Sequence, residues 1–295
     1  MISQLRRYPL AGRLRRPENG DPGTRSASAS GDIMQADIPE PRKKGIGRKA
    51  GRWLLKALAG FQGRQSLVGD KPVFDASLFP FLRPFERDWN IIRAELEPIL
   101  AERERLPAFH EISPDQYRIS LGDQWKVFVL YGFGIPSPKN CARCPHTTRL
   151  LADVPGLQSA WFSILAPRYH IPRHRGPTKG LLKAHLGLKV PAQRLDCTME
   201  VDDQRLNWEQ GKVAVFDDFY PHEVWNNTDE ERVVLLFEFL RPMRLPGRMV
   251  HKFLLWGIKQ SAYSRDATRN MQDWDQRLAA AVANADSMYD EPAPR

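Results

Sequence analysis

Cysteine is scarce in this chain, with three in 295 residues. That excludes a disulfide framework, so the reducing cytosol is the expected compartment. No run approaches the eighteen or so apolar residues of a spanning helix. The amino-terminal stretch has arginines but no apolar core of secretory-signal length. Acidic residues are the minority: 35 Asp and Glu stand against 44 Lys and Arg, a net charge of +9. The imbalance is local, since residues 1–52 hold twelve Lys or Arg and five Asp or Glu, +7 of the excess. A basic tail of this kind suits an anionic partner, and no recognised nucleic-acid motif accompanies it. What is plentiful is apolar and aromatic: 42% hydrophobic residues, with eight Trp and fourteen Phe, enough for a substantial core.

Residues 1–45 are rich in Arg, Gly, Pro and Ser and read as a disordered basic tail. Residues 46–70 read as an amphipathic helix and linker. Within IGRKAGRWLLKALAGF, Trp53, Leu54 and Leu58 follow helical spacing and Arg48, Lys49, Arg52 and Lys56 lie largely away from them. Such a helix can lie in a membrane interface or dock on the domain with a solvated basic face. Residues 71–245 read as the globular domain. A helix is expected over 84–102, with Trp89, Ile92, Leu96 and Leu100 on one face. Strands are expected at Gln124–Tyr131, Ala160–Ala166, His185–Val190, Lys212–Phe216, His222–Trp225 and Arg232–Leu240. Many short strands without alternating helices predict a mainly β fold, a sandwich or jelly roll. Residues 246–295 read as a helical extension with Trp256, Met271, Trp274 and Leu278 packing inward.

Seven histidines occur, and three fall between His170 and His185. His174 sits at a strand end, and His222 opens a strand after the Asp217-Asp218 turn. Histidines on two strands of a jelly roll can meet at one end of the barrel and hold a divalent ion. Of the two aspartates, one can orient a ligating imidazole while the other makes an Asx turn. His170 reads as surface, and His110 and His251 have no evident partner. Cys141 and Cys144 form C-x-x-C near His146, but lack further ligands and read as ordinary small buried residues. Arg232 leads the apolar strand VVLLF, an unusual place for a guanidinium unless it grips an anion.

The segments AWFSILAP, HRGPTKG, HLGL and WEQGKVAVFDDFYPHEVWN, with the Arg of ERVVLL, resemble the aspartyl/asparaginyl β-hydroxylase family from about Phe109 to Pro242. The resemblance implies an enzyme on a double-stranded β-helix, a cupin-like jelly roll with flanking helices, that uses Fe(II), 2-oxoglutarate and O2. It makes His174 and His222 the metal ligands and catalytic pair, with Gly176 where a two-His-one-carboxylate site would carry its acid. It assigns Arg232 and Ser163 to the far carboxylate of 2-oxoglutarate, and His185 and Lys183 to its near end. The family pattern has Arg at the latter position; Lys183 keeps the charge but not the planar fork. The segments QYRIS, QWKVFVLYGFG and FEFLRPMRLP look closest to the bacterial branch that hydroxylates acyl chains of lipid A and ornithine lipid. The resemblance therefore implies acyl-chain hydroxylation at an anionic membrane surface, by a peripheral protein on the inner face of the cytoplasmic membrane. The alternatives are β-hydroxylation of Asp or Asn in a peptide, protein or metabolite precursor, and a non-catalytic cupin-like binding module.

Overall fold

RVVLLFEFL alternates two environments along one strand, and the fold is organised around it. The structure, a computed structural model, describes residues 46–113, 116–120, 122–260 and 265–276, with side chains from Trp53 onward. Its strands are β1 (Val73–Phe74), β2 (Trp125–Gly132), β3 (Ile135–Pro136), β4 (Ser159–Leu165), β5 (Tyr169–His174), β6 (Leu181–Lys189), β7 (Cys197–Val201), β8 (Gln204–Asn207), β9 (Val213–Phe216), β10 (His222–Asn226) and β11 (Arg232–Leu240). Its helices are α1 (Ile46–Gln65), α2 (Arg83–Arg87), α3 (Trp89–Ala101), α4 (Phe109–Ile112), α5 (Pro138–Arg143), α6 (Pro145–Ala152) and α7 (Leu245–Lys259), followed by a helix at 265–276.

The strands form two sheets with antiparallel pairings. One has the order β1-β9-β6-β11-β4-β2-β3 and the other β5-β10-β7-β8. In the larger sheet β11 lies between β6 and β4. Val233, Leu235, Phe237 and Phe239 point outward into a core shared with the amino-terminal helices, where Phe85 stacks on Phe237 at 4.8 Å and Ile92, Leu96 and Ile99 of α3 are buried. Val234 and Leu236 point the other way, into a second core between the sheets, with Met199, Val201 and Val224 of the smaller sheet. The neighbours keep the same phase: Phe162 and Ala184 pack outward while Ser163 and His185 face inward with Arg232. A slip of one residue would exchange core and site, so the apolar alternation fixes the site's register.

The fold is the expected mainly β jelly roll with flanking helices. Five strands were not anticipated: the two-residue edge strands β1 and β3, β5, which carries His174, and the hairpin β7–β8. His185 lies in the middle of β6 rather than at its start. The helix expected over 84–102 is broken at Asp88 into α2 and α3. The helix anticipated at 46–61 runs to Gln65 and is in one compact unit with the sheets and α7. The 1–45 segment and Leu278 lie outside the described residues. Met271 is buried and Trp274 packs against the inter-sheet core, but Trp256 is 61% exposed, so the packing role expected for it is wrong. Helical phase explains this, because α7 turns Gly247 and His251 inward. The C-x-x-C thiols are free and buried as expected, and burial pushes Cys144 up to about 12.

His251 is 2% exposed, and neither ring nitrogen has a hydrogen-bond partner among the described residues. It packs so tightly on Gly180 that a Cβ there would collide with its ring. Burial holds its pKa down at about 4, against 6.5 for an ordinary histidine. The folded chain therefore binds fewer protons than the unfolded chain between those values. The neutral ring's contribution is full above about pH 6.5 and is lost as the pH falls toward 4, a total of roughly 3 kcal/mol. His251→Leu is expected to flatten the acid side of the thermal-midpoint profile in that window. Identical profiles for both proteins would assign the acid sensitivity elsewhere.

Candidate active site

His174 closes β5 and His222 opens β10, and the antiparallel register sets them directly opposite one another. Their ring centroids are 4.1 Å apart. Both rings are tethered in the same way. His174 donates from Nδ1 to the Pro172 carbonyl at 2.8 Å, and His222 from Nδ1 to the Tyr220 carbonyl at 3.0 Å. A carbonyl oxygen only accepts, so Nδ1 carries the proton and Nε2 keeps its lone pair. That is the tautomer a metal requires, fixed by the outer hydrogen bond that orients ligating imidazoles. Burial holds both rings at about 4, helped by the other ring at His174 and by Lys183 at His222, so both are neutral near pH 7. The donor set fits a divalent ion such as iron, with positions left for exogenous ligands.

The third protein ligand of such sites has no counterpart here. No group of three or more His, Cys, Asp or Glu placed to hold a metal occurs among the described residues. At Gly176 a Cβ would run into the carboxyl group of Asp218. The Gly176 amide donates to the Asp218 carbonyl at 2.7 Å, which seats the two residues together. A carboxylate from the β9–β10 loop thus fills the space that a side chain at 176 would take. Its neighbour Asp217 accepts from the Phe219 amide at 3.0 Å and pairs with buried Arg241, which makes it the turn residue.

Beside the histidines, the inward face of the larger sheet carries a cation without an anion. Arg232 is 2% exposed, and its Nε and Nη1 have no hydrogen-bond partner among the described residues. Its guanidinium lies over the Trp208 ring at 4.6 Å and touches Cys197. Burial lowers its pKa to about 10. Buried guanidinium groups are normally paired, so this one is poised for a carboxylate brought by a ligand. His185 supplies a second donor. The Trp208 indole N–H donates to its Nδ1 at 3.2 Å, which places the ring proton on Nε2, and Nε2 has no partner among the described residues. Burial holds the His185 pKa well below its usual value, so the ring is neutral. Ser163 accepts from the Trp125 indole N–H at 3.0 Å, leaving its own O–H to donate. Two fixed donors and one cation match a dicarboxylate.

These residues line one cavity of about 220 Å³. Its wall is largely apolar, including Ile171, Met199 and Val224 from the smaller sheet and Leu255, Ile258 and Met271 from the carboxy-terminal helices, with Gln116, Gln158 and Glu238 among its polar residues.

The sequence profile of the aspartyl/asparaginyl β-hydroxylase family matches residues 86–242. The chain belongs to this family. It is 39% identical over 227 residues to an ornithine lipid ester-linked acyl 2-hydroxylase of Rhizobium tropici, covering 77% of this chain and 80% of that one. It is 27% identical to the human aspartyl/asparaginyl β-hydroxylase, covering 78% of this chain and 31% of the human protein. Among solved structures it is similar to a cupin domain of an XRE-family transcriptional regulator from Enterobacter cloacae, with TM-score 0.28, 12% identity, and coverage of 39% and 96% of the two chains.

As a member of a β-hydroxylase family the protein is a hydroxylase, and its site holds Glu238 and Trp208 besides the residues expected from the sequence. Lys183 lines the cavity, yet its ammonium is already matched by Asp218 at 3.1 Å and Glu238 at 3.3 Å, which raise its pKa above the usual lysine range against the effect of burial. Glu238 also accepts from Ser159. Trp208 was missed although it serves both His185 and Arg232. A tryptophan at the start of WEQG carries no spacing rule, and only the folded register brings it under the guanidinium. His170, read as surface, is stacked on Trp225 at 5.1 Å and faces Glu223. His110, which had no evident partner, lies 3.2 Å from Ser120.

Proposed function

We propose that this protein is an iron(II)- and 2-oxoglutarate-dependent dioxygenase that hydroxylates a fatty acyl chain of a membrane lipid. The observation that carries the reading is the cavity: a histidine pair and an unmatched buried arginine share it with a largely apolar wall. His174 and His222 would hold the iron through Nε2. Arg232, with Ser163, would hold the far carboxylate of 2-oxoglutarate, and His185 would donate from Nε2–H to its near end. When bound, iron with 2-oxoglutarate and dioxygen supplies the oxidation that places one oxygen in a C–H bond, with succinate and carbon dioxide as coproducts. The protein's part is to fix the donors, exclude water and present one carbon.

The likeness to the ornithine lipid hydroxylase supports an acyl chain as substrate. The anionic inner leaflet of the cytoplasmic membrane is the proposed place of action for this peripheral enzyme, with no nucleic acid involved. No helix among the described residues is long and apolar enough to cross a membrane. β-Hydroxylation of Asp or Asn in a peptide, protein or metabolite precursor is the second reading, supported by the likeness to the human enzyme. It is less favoured because Lys183, a cation on the cavity wall, is engaged by two carboxylates of the chain itself. A non-catalytic cupin-like module is disfavoured because the whole donor set is present.

The test is mass spectrometry of total polar lipids from cells with and without the protein. A lipid heavier by one oxygen is expected with the natural chain and not with His174→Ala. Its absence in both would transfer the reading to peptide or amino-acid substrates, with purified protein screened for substrate-stimulated succinate release.

A further inference from the structure

The helix that walls the cavity also carries an exposed apolar stripe. On α7, Leu245, Met249, Phe253 and Trp256 are 67%, 58%, 69% and 61% exposed, and Phe253 stacks on Trp256. Spacings of four, four and three residues keep them on one face. Leu255 and Ile258, on the next turn of surface, line the cavity. α1 packs against α7, its end joined there by the Arg244 amide donating to the Gln65 carbonyl at 2.9 Å. It exposes Trp53, Leu54 and Leu55 in turn. Single exposed apolar residues are ordinary, but clusters of them on two packed helices mark an interaction surface.

The charge of these helices selects the partner. IGRKAGRWLLKALAGFQGRQ and LPGRMVHKFLLWGIK hold eight Lys or Arg and no Asp or Glu. Lys56, Arg64, Arg248, Lys252 and Lys259 are exposed around the apolar side chains. A second copy of the same face would bring cations against cations. An anionic lipid surface would take both the aromatic residues and the charge.

We propose that α1 and α7 together form the face that seats in an anionic bilayer, and that α7 is the partition between bilayer and cavity, past whose Leu255 and Ile258 an acyl chain passes from one to the other. The proposal rests on the lipid reading for the identity of the chain that crosses, but the docking itself requires neither iron nor cosubstrate. A lipid could then keep its headgroup at the interface and move only its chain.

The test uses the full-length protein and unilamellar vesicles of phosphatidylglycerol and phosphatidylcholine, with binding read by co-sedimentation. The natural protein is expected to bind, less so as salt is raised. Phe253→Ala/Trp256→Ala changes only exposed positions and is expected to bind about tenfold more weakly with an unaltered thermal midpoint. Quenching of tryptophan fluorescence by lipids brominated on the acyl chain is expected to fall in Trp256→Phe, a variant with less effect on shape. Vesicle binding equal to that of the natural protein in the double variant, or quenching unaffected by Trp256→Phe, overturns the proposal. So does a double variant that turns a dimer into a monomer while binding vesicles normally, since the face would then join two copies. Vesicle binding lost in the double variant, with no lipid hydroxylated by either protein, would uphold docking and overturn the lipid reading alone.

Discussion

Arg232→Met is expected to yield a protein that is more stable without ligand than the natural chain and unable to hold 2-oxoglutarate. The natural fold buries a guanidinium against a thiol and an indole, with no carboxylate paired to it among the described residues. Burial opposes the charged form and lowers its pKa from 12.5 to about 10. At neutral pH arginine is charged in both folded and unfolded chains, so this opposition is fully present and amounts to about 3 kcal/mol. Methionine keeps much of the stem's volume without the charge. It forfeits the cation–π contact with Trp208, worth about 1 to 2 kcal/mol when desolvated. A net gain of about 1 kcal/mol would raise the thermal midpoint by roughly 2–4 °C. Removing the partner of a buried carboxylate should weaken 2-oxoglutarate by about 2–5 kcal/mol, some thirtyfold to several thousandfold. Scanning calorimetry with and without 2-oxoglutarate reads both effects. A variant less stable than the natural chain that still gains stability from 2-oxoglutarate would contradict the assignment of Arg232.

His222→Ala is expected to abolish turnover, because it removes one of only two protein ligands proposed for the iron. Losing a partner that merely orients a ligating imidazole reduces metal affinity by about 10- to 100-fold, so losing the imidazole itself should exceed that range. Iron titration and succinate release measure the two consequences separately. Near-normal succinate release by the variant would take His222 off the ligand list. His170→Ala supplies the control: that ring is exposed on Trp225, outside the cavity, and its loss is expected to leave turnover unchanged.

Strands that lie deep in the larger sheet were legible because their environment writes a long apolar signal, as in β11, whose bounds match the expected Arg232–Leu240. β5 was not legible for the opposite reason. YHIPRH contains a proline and three basic or ring-nitrogen side chains, which read as loop. An edge position makes it tolerable, since β5 pairs only with β10 and Pro172 needs no donor on its free side. The β7–β8 hairpin escaped because its strands are short and its turn at Asp202 adopts φ +59° in a stretch that reads as charged loop. The site divides similarly. His174, His222 and Arg232 stand out by residue type against their surroundings. The pairing of Lys183 with Asp218 and Glu238 depends on two strands and the β9–β10 loop meeting, and no linear spacing encodes it. Which of two adjacent aspartates turns inward is likewise decided only by the backbone of the β9–β10 loop.

The contact between Gly176 and Asp218 also constrains how this sequence can change. A carboxylate two residues after the first histidine would have to occupy space already held by Asp218. Changing Gly176 alone would force two acids together, and shortening Asp218 alone would leave Lys183 with one counter-charge and a hollow beside the histidines. Either step is harmful without the other, so the two positions behave as one locus. Substitution scans taken singly would find both intolerant, while a paired library at 176 and 218 could recover combinations that neither scan reveals.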